Sequence, residues 1–243
     1  MQLKDISPDA VVYYSIGPFD LNATIVFTWG IMALLVITSM IVTANLSTTG
    51  KMGRLQNMLE IIVQGMRDQI REISGGQEPG IYLPFIGTLF LFILVSNILA
   101  VVPGFQPPTA SLSTTAALAV CVFLAVFIYG IAKQGVAGYF KHYLKPTPIM
   151  LPFNIIGEFS RTLALAVRLF GNMMSGVKIA GILLIVVPLI FPVVMQVLGL
   201  LTGVIQAYIF AVLAMVYIAS ATRTHMESQQ KAEAQEQGES DNG

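Results

Sequence analysis

Two arginines, an asparagine and a serine share one face of an otherwise apolar stretch, Ser160-Arg161-Thr162-Leu163-Ala164-Leu165-Ala166-Val167-Arg168-Leu169-Phe170-Gly171-Asn172-Met173-Met174-Ser175-Gly176. At about 100° per residue of helix, Arg161, Asn172 and Ser175 fall within about 40° of the direction of Arg168. The remaining surface is Leu, Ala, Val, Phe and Met, with Gly171 and Gly176 small enough to admit a second helix at close range. Arg168 is 17 residues beyond Leu151, where the apolar run begins. That is about 25 Å along a helix axis, too deep for comfortable snorkelling. An arginine at mid-bilayer costs about 2.5–3.5 kcal/mol on insertion scales, so its presence marks a functional position. The chemistry open to it is electrostatic: a permanently charged guanidinium attracts and stabilises a carboxylate.

The chain itself supplies almost no such carboxylate. No acid lies between Glu78 and Glu158, or between Glu158 and Glu227. The counter-ion of Arg168 is therefore expected on another chain, as a membrane-embedded acid on a moving partner.

Other residues offer two readings each. Gln206 stands on a stripe with Gly199, Thr202, Phe210 and Tyr217, where its amide can hydrogen-bond Arg168 without neutralising it, or tie two helices together. Glu158 and Arg161 are three apart, a helical ion-pair spacing; they form a static pair near the interface or line an inner aqueous path. Asn172 and Ser175 line a channel or pack helices. Lys178, ten residues past Arg168, lies about 15 Å further out and about 80° round, snorkelling to the surface or shaping the outer mouth. Ser111, Ser113, Thr114 and Thr115 are helix-start hydroxyls or part of an ion path. Cys121, the one cysteine, sits in an apolar run and has no internal disulfide partner. His142 and His225 fall in polar segments and receive no role.

These residues need a membrane scaffold, and the composition supplies one. Of 243 residues, 55% are hydrophobic and 11% charged, with mean hydropathy +0.76; soluble domains run nearer a quarter charged. A net charge of +0 excludes a strongly basic nucleic-acid binder. The sequence contains no metal or nucleotide motif, so no cofactor is expected, and the chain cannot make or hydrolyse ATP by itself.

Met1–Asn22, with four charged residues and two prolines, reads as a short polar arm rather than a secretory signal. Five runs reach the roughly 20 residues that cross hydrocarbon: about 23–45, 81–102, 112–132, 151–187 and 193–222. Trp29 marks an interface in the first, and Asn97 lies inside the second. Residues 51–73 differ: Met52, Leu55, Leu59, Ile62, Met66 and Ile70 recur at helical spacing among Lys51, Arg54, Arg67 and Arg71, as in an amphipathic helix lying on the membrane. The predicted fold is an all-α membrane protein, one domain over 1–222 with five transmembrane helices and one interfacial helix, followed by a disordered polar tail over 223–243. Lysine and arginine crowd 46–80 and 133–149 and are absent from 103–111 and 188–192. The amino terminus is then outside and the carboxyl terminus cytoplasmic.

Arg168-Leu169-Phe170-Gly171-Asn172-Met173 resembles the signature of the a subunits of F-type ATP synthases. Pro107-Pro108-Thr109-Ala110, Glu158-Phe159-Ser160-Arg161 and Gln206-Ala207-Tyr208-Ile209-Phe210 are similar to that family in the same order, so the likeness covers roughly residues 20–222. It implies tilted helices, the last two crossings forming a long hairpin against a ring of c subunits. It also implies that Arg168 faces the ring carboxylates between two aqueous half-channels. The implied partners are the c-ring, b-type peripheral stalk subunits and the rest of the synthase, in a bacterial or archaeal plasma membrane. The implied ion is the proton, with sodium the alternative. Two positions depart from the pattern: many members carry an acid where Val177 stands and a histidine or acid where Gly199 stands. A secondary transporter, the rival class, would show a repeat of span pattern, and none appears in this sequence.

Overall fold

The apolar runs fold as helices close to their expected limits. The computed structural model describes residues 12–16, 19–44, 54–76, 78–102, 104–143, 150–186 and 191–240, and the side chains within 22–44, 56–76, 78–102, 104–133, 153–183 and 193–222. Six α-helices follow in order among the described residues: α1 Ala23–Ala44, α2 Arg54–Ser74, α3 Leu83–Leu99, α4 Leu112–Tyr143, α5 Met150–Val186 and α6 Phe191–Ser240.

Three features differ from the sequence reading. The polar arm contains an antiparallel hairpin, β1 Val12–Ile16 and β2 Phe19–Asn22. Its β-branched and aromatic residues, separated by Gly17-Pro18, favour paired strands over a featureless lead. The fold is thus helical apart from this ribbon. α4 runs past 132 to Tyr143, with a break at Gly135, where φ is 70° and ψ 160°. Glycine occupies that region without a Cβ penalty, so the chain turns there and resumes helix. α6 continues through Ser240 rather than ending near 222. Ala, Glu, Gln and Lys are good helix formers and propagate from a helix already nucleated.

Four helical segments, Ala23–Ala44, Leu112–Lys133, Phe153–Leu183 and Val193–Thr222, are long and apolar enough to cross a membrane. α3 is shorter, with 17 residues, about 25 Å against about 30 Å of hydrocarbon. It is trimmed by the 3-10 turn Pro79–Ile81 before it and by Ala100 at its end.

The bundle core is built where small residues let helices approach. Ala207, Phe210, Ala211, Ala214, Met215 and Ile218 of α6 are buried, as are Leu165, Ala166, Leu169 and Met173 of α5. α6 packs against α3, α4 and α5, and α4 against α5. Alanines at helical spacing allow close contact, which matters in lipid, where van der Waals fit drives association. α1 touches mainly α3 and leaves most of its surface outward, with Trp29 64% exposed. α2 docks its apolar edge, Met66, Ile70 and Ile73, against α3 and α6. Gly87 makes room for the Met66 methyl, and Tyr208 Oη donates to Gln69 Oε1 at 3.0 Å.

Candidate functional site

Arg168 is the midpoint of α5, eighteen residues from Met150 and eighteen from Val186. α5 has 37 residues, about 55 Å of helix, nearly twice the hydrocarbon thickness. A helix of that length tilts or runs partly outside the core. Gln206 lies near the middle of the apolar segment Val193–Thr222 of α6. The two helices pack together, so the midpoints of the two longest apolar segments meet.

The expected polar face is present along one edge of α5, exposed over most of its width and meeting α6 through Asn172 and Arg161. Arg161, Arg168, Asn172 and Ser175 are all exposed, whereas Leu165, Leu169 and Met173, about 60° to 140° round the helix from Arg168, are buried. Gly171 and Gly176 have nothing within 4 Å of where a Cβ would stand. The described chain does not use them for close packing, and they remain open to another molecule.

Gln206 is 2% exposed. Its Oε1 accepts from Asn172 Nδ2 at 2.7 Å, so of the two readings the sequence offers for Gln206 the structure contains the tie between two helices. Asn172 is one helical turn beyond Arg168, and its short amide reaches across the helix contact. Gln206 Nε2 is left buried with no hydrogen-bond partner. Arg168 makes no ion pair or hydrogen bond with any described residue. Two donors near mid-helix, one cationic and one neutral, are therefore without acceptors among the described residues.

Toward the amino-terminal end of α5, Arg161 Nη1 donates to Glu158 Oε1 at 3.1 Å. The guanidinium carbon also stands 5.8 Å from the centroid of Tyr217 on α6. The Glu158 side chain is 11% exposed and that of Arg161 52%. Toward the other end, Ser175 Oγ donates to the Asn172 carbonyl at 3.1 Å, and Lys178 is exposed. Val177 packs partly buried against the core, and the space beside Gly199 is open. Ser111 and Thr115 are fully buried. Thr115 Oγ1 donates to the Ser111 and Leu112 carbonyls, as a packing hydroxyl does. Cys121 is exposed on α4. His142 and His225 lie outside the described side chains.

Two features escaped the sequence reading. Tyr217 was placed on the Gln206 stripe without its role as a platform for Arg161. Asn97 was noted only as a polar residue within a span, yet it is 1% exposed and joins α3, α6 and the turn before α4. The signal was available: a buried amide among apolar residues must find partners.

Long apolar helices packed together, joined by an amide pair one turn from an arginine that has no partner among the described residues, are the features of a membrane ion-translocation subunit. Comparison with known proteins agrees. The model of the family described as ATP synthase A chain matches residues 25–219. "ATP synthase subunit a 2" of Acaryochloris marina is 62% identical over 225 residues, 93% of this chain and 96% of the relative. "ATP synthase subunit a" of Albidiferax ferrireducens is 60% identical over 218 residues, 90% of this chain and 94% of the relative. "ATP synthase subunit a" of Nitrosospira multiformis is 56% identical over 223 residues, 92% and 88% respectively. The chain belongs to the ATP synthase A chain family, the non-catalytic channel and stator subunits of the Fo sector. It is a multi-pass membrane protein of a bacterial ATP synthase.

Proposed function

We propose that α5 and α6 form the static wall along which a ring of c subunits turns, with two aqueous half-channels separated by Arg168. The observation that carries this is the unanswered pair of donors: Arg168 has no carboxylate among the described residues, and Gln206 Nε2 is buried without an acceptor. A c-ring carboxylate arriving beside the exposed Arg168 supplies the acceptor it lacks, with the Gln206 amide buried one layer behind. It is held as an anion there, because an opposite charge within about 4–6 Å favours the ionised form. The ion it carried leaves through one half-channel and the next enters from the other. Arg168 also repels cations that would leak straight across. The membrane potential, worth about 2.3 kcal/mol per charge per 100 mV, is thereby spent on rotation.

Asn172 holds Gln206 in place, Ser175 and Lys178 border the outer half-channel, and Glu158 with Arg161 border the inner one. α3 completes five crossings, α2 lies at the cytoplasmic surface, and b-type stalk subunits hold the chain still. The amino terminus is outside and the carboxyl terminus inside. The ion is the proton. Val177 and Gly199 favour sodium as a second reading, since neither offers a proton-relay side chain.

In inverted vesicles holding the assembled synthase, Arg168→Ala is expected to abolish ATP-driven ion pumping while the subunit still inserts. Arg168→Lys is expected not to rescue it, because an ammonium is a point charge without the guanidinium fork. Pumping near the wild-type rate by Arg168→Lys would refute the reading. For topology, in a Cys121→Ser background, Val102→Cys should react with an impermeant reagent from outside and Glu78→Cys only from inside. The reverse pattern would invert the assignment.

A further inference from the structure

Asn97 of α3 has both ends of its amide engaged. Nδ2 donates to the Gly203 carbonyl of α6 at 2.8 Å, and Oδ1 accepts from Thr109 Oγ1 at 2.7 Å. Thr109 lies, fully buried, in the 3-10 turn Pro108–Ala110 that leads into α4. One side chain therefore joins three segments far apart in sequence.

Gly203 is the residue that permits this. A Cβ there would stand 2.9 Å from Asn97 Cβ, 3.4 Å from Cγ and 3.5 Å from Nδ2. Any larger residue would push α6 away and open the bond. The helix accepts a glycine in its interior at the one point where its backbone must approach an amide.

The location gives the lock a consequence. α6 meets its neighbours largely through alanine and aliphatic side chains, a smooth contact, and in lipid no hydrophobic force resists sliding one apolar helix along another. A buried amide resists it, since slipping breaks two bonds and strands polar atoms. A slip of one residue moves a helix about 1.5 Å and turns it about 100°. Gln206 is three residues beyond Gly203, so the same slip would carry its Oε1 off Asn172 Nδ2, now 2.7 Å away. Asn172 in turn is one helical turn from Arg168. Gln196 Nε2, which donates to the Val101 carbonyl at 3.2 Å, ties α6 nearer its start but is exposed and less able to hold register.

We propose that Asn97, with Thr109 and Gly203, is a positioning residue for ion translocation: it fixes the register of α6 and thereby presents Gln206 to Asn172 beside Arg168. The role rests on the translocation reading above. It assigns no contact between Asn97 and the ion or the ring.

The test uses the assembled synthase in inverted vesicles, scoring the amount of complex, ATP hydrolysis and ATP-driven pumping. Asn97→Leu keeps the branched shape, with greater bulk, and removes both bonds; pumping per assembled complex should fall about tenfold, the scale of losing buried hydrogen bonds. Asn97→Asp is the conservative rescue. In its protonated form the O–H can donate to Gly203 and the carbonyl accept from Thr109, and pumping should stay within about twofold of wild type. Equal pumping by the Leu and Asp variants, at either level, would overturn the proposal, because packing alone would then decide. Should Asn97→Leu not assemble, Thr109→Val removes one bond at constant volume. A several-fold pumping loss is expected from it, and wild-type pumping would overturn the proposal. Normal pumping by Arg168→Lys would instead bring down the translocation reading, whatever Asn97 does. Normal pumping by Asn97→Leu beside an inactive Arg168→Lys would remove only the positioning role.

Discussion

Arg161 and Arg168 sit two turns apart on one face of α5, and their surroundings give them different work. Arg161 is answered within the chain, by Glu158 Oε1 at 3.1 Å and by the Tyr217 ring at 5.8 Å. Arg168 is answered by no described residue, and under the proposed function its charge serves the ring carboxylate. The Glu158–Arg161 pair is half open to its surroundings on the arginine side, so as a stabilising contact it is worth about 1 kcal/mol or less. The cation–π contact adds about 0.5–1 kcal/mol. Contacts that small leave stability almost unchanged when the pair is broken, and under the proposed half-channel reading the pair is felt in transport. Glu158→Gln should therefore slow ATP-driven pumping several-fold without lowering the amount of assembled complex. Adding Arg161→Gln should not restore the rate. Restoration by the double variant would mean that the single change had only stranded a cation.

Among the elements, α4 shows how one residue can set a boundary. Gly135 adopts φ 70° and ψ 160°, a region that only glycine enters without strain, with a cost of about 1–3 kcal/mol for other residues. Nothing lies within 4 Å of a Cβ built there, so any penalty for Gly135→Ala comes from the backbone and not from a clash. The variant should lower the Tm of the purified complex in detergent by a few degrees. Gly80→Ala, where the space is equally open and φ is not positive, should leave Tm unchanged. An unshifted Tm for Gly135→Ala would mean that α4 can straighten without loss. Where α5 packs on α6, the Asn172–Gln206 bond is the one hydrogen bond joining the two helices near Arg168 among the described residues, so under the positioning proposal their alignment rests also on Asn97 and on the alanine face of α6.

At the scale of the whole molecule, the segment proposed to border the outer half-channel is poor in titratable groups. From Asn172 to Gln206 the sequence holds Lys178 and no other ionisable side chain. Val177 is packed against the core and Gly199 leaves open space. Protons can still pass along water held by Ser, Thr and Asn, and the same path would carry hydrated sodium. With a proton-conducting path, a protonophore should eliminate ATP-driven pumping, and pumping should not require sodium. Sodium uptake into inverted vesicles that persists or rises when the protonophore collapses the pH gradient would assign sodium instead.

The sequence by itself determined the membrane class, the helix segments and the identity of Arg168 as the central cation, because hydropathy, helical period and the cost of a buried charge act locally along the chain. It also placed Arg161, Asn172 and Ser175 on one face, since angle follows directly from spacing. The strand pairing of 12–22 depends on a local balance that polar composition obscured, and the Gly135 break on a backbone angle that no neighbouring residue announces. Only the tertiary structure decided that Gln206 bonds Asn172 and not Arg168, that Tyr217 lies under Arg161, and that Asn97 reaches Gly203. Those partners are 34, 56 and 106 residues apart, and which amide meets which donor is set by the depth and rotation of one packed helix against another, a quantity no single helix encodes.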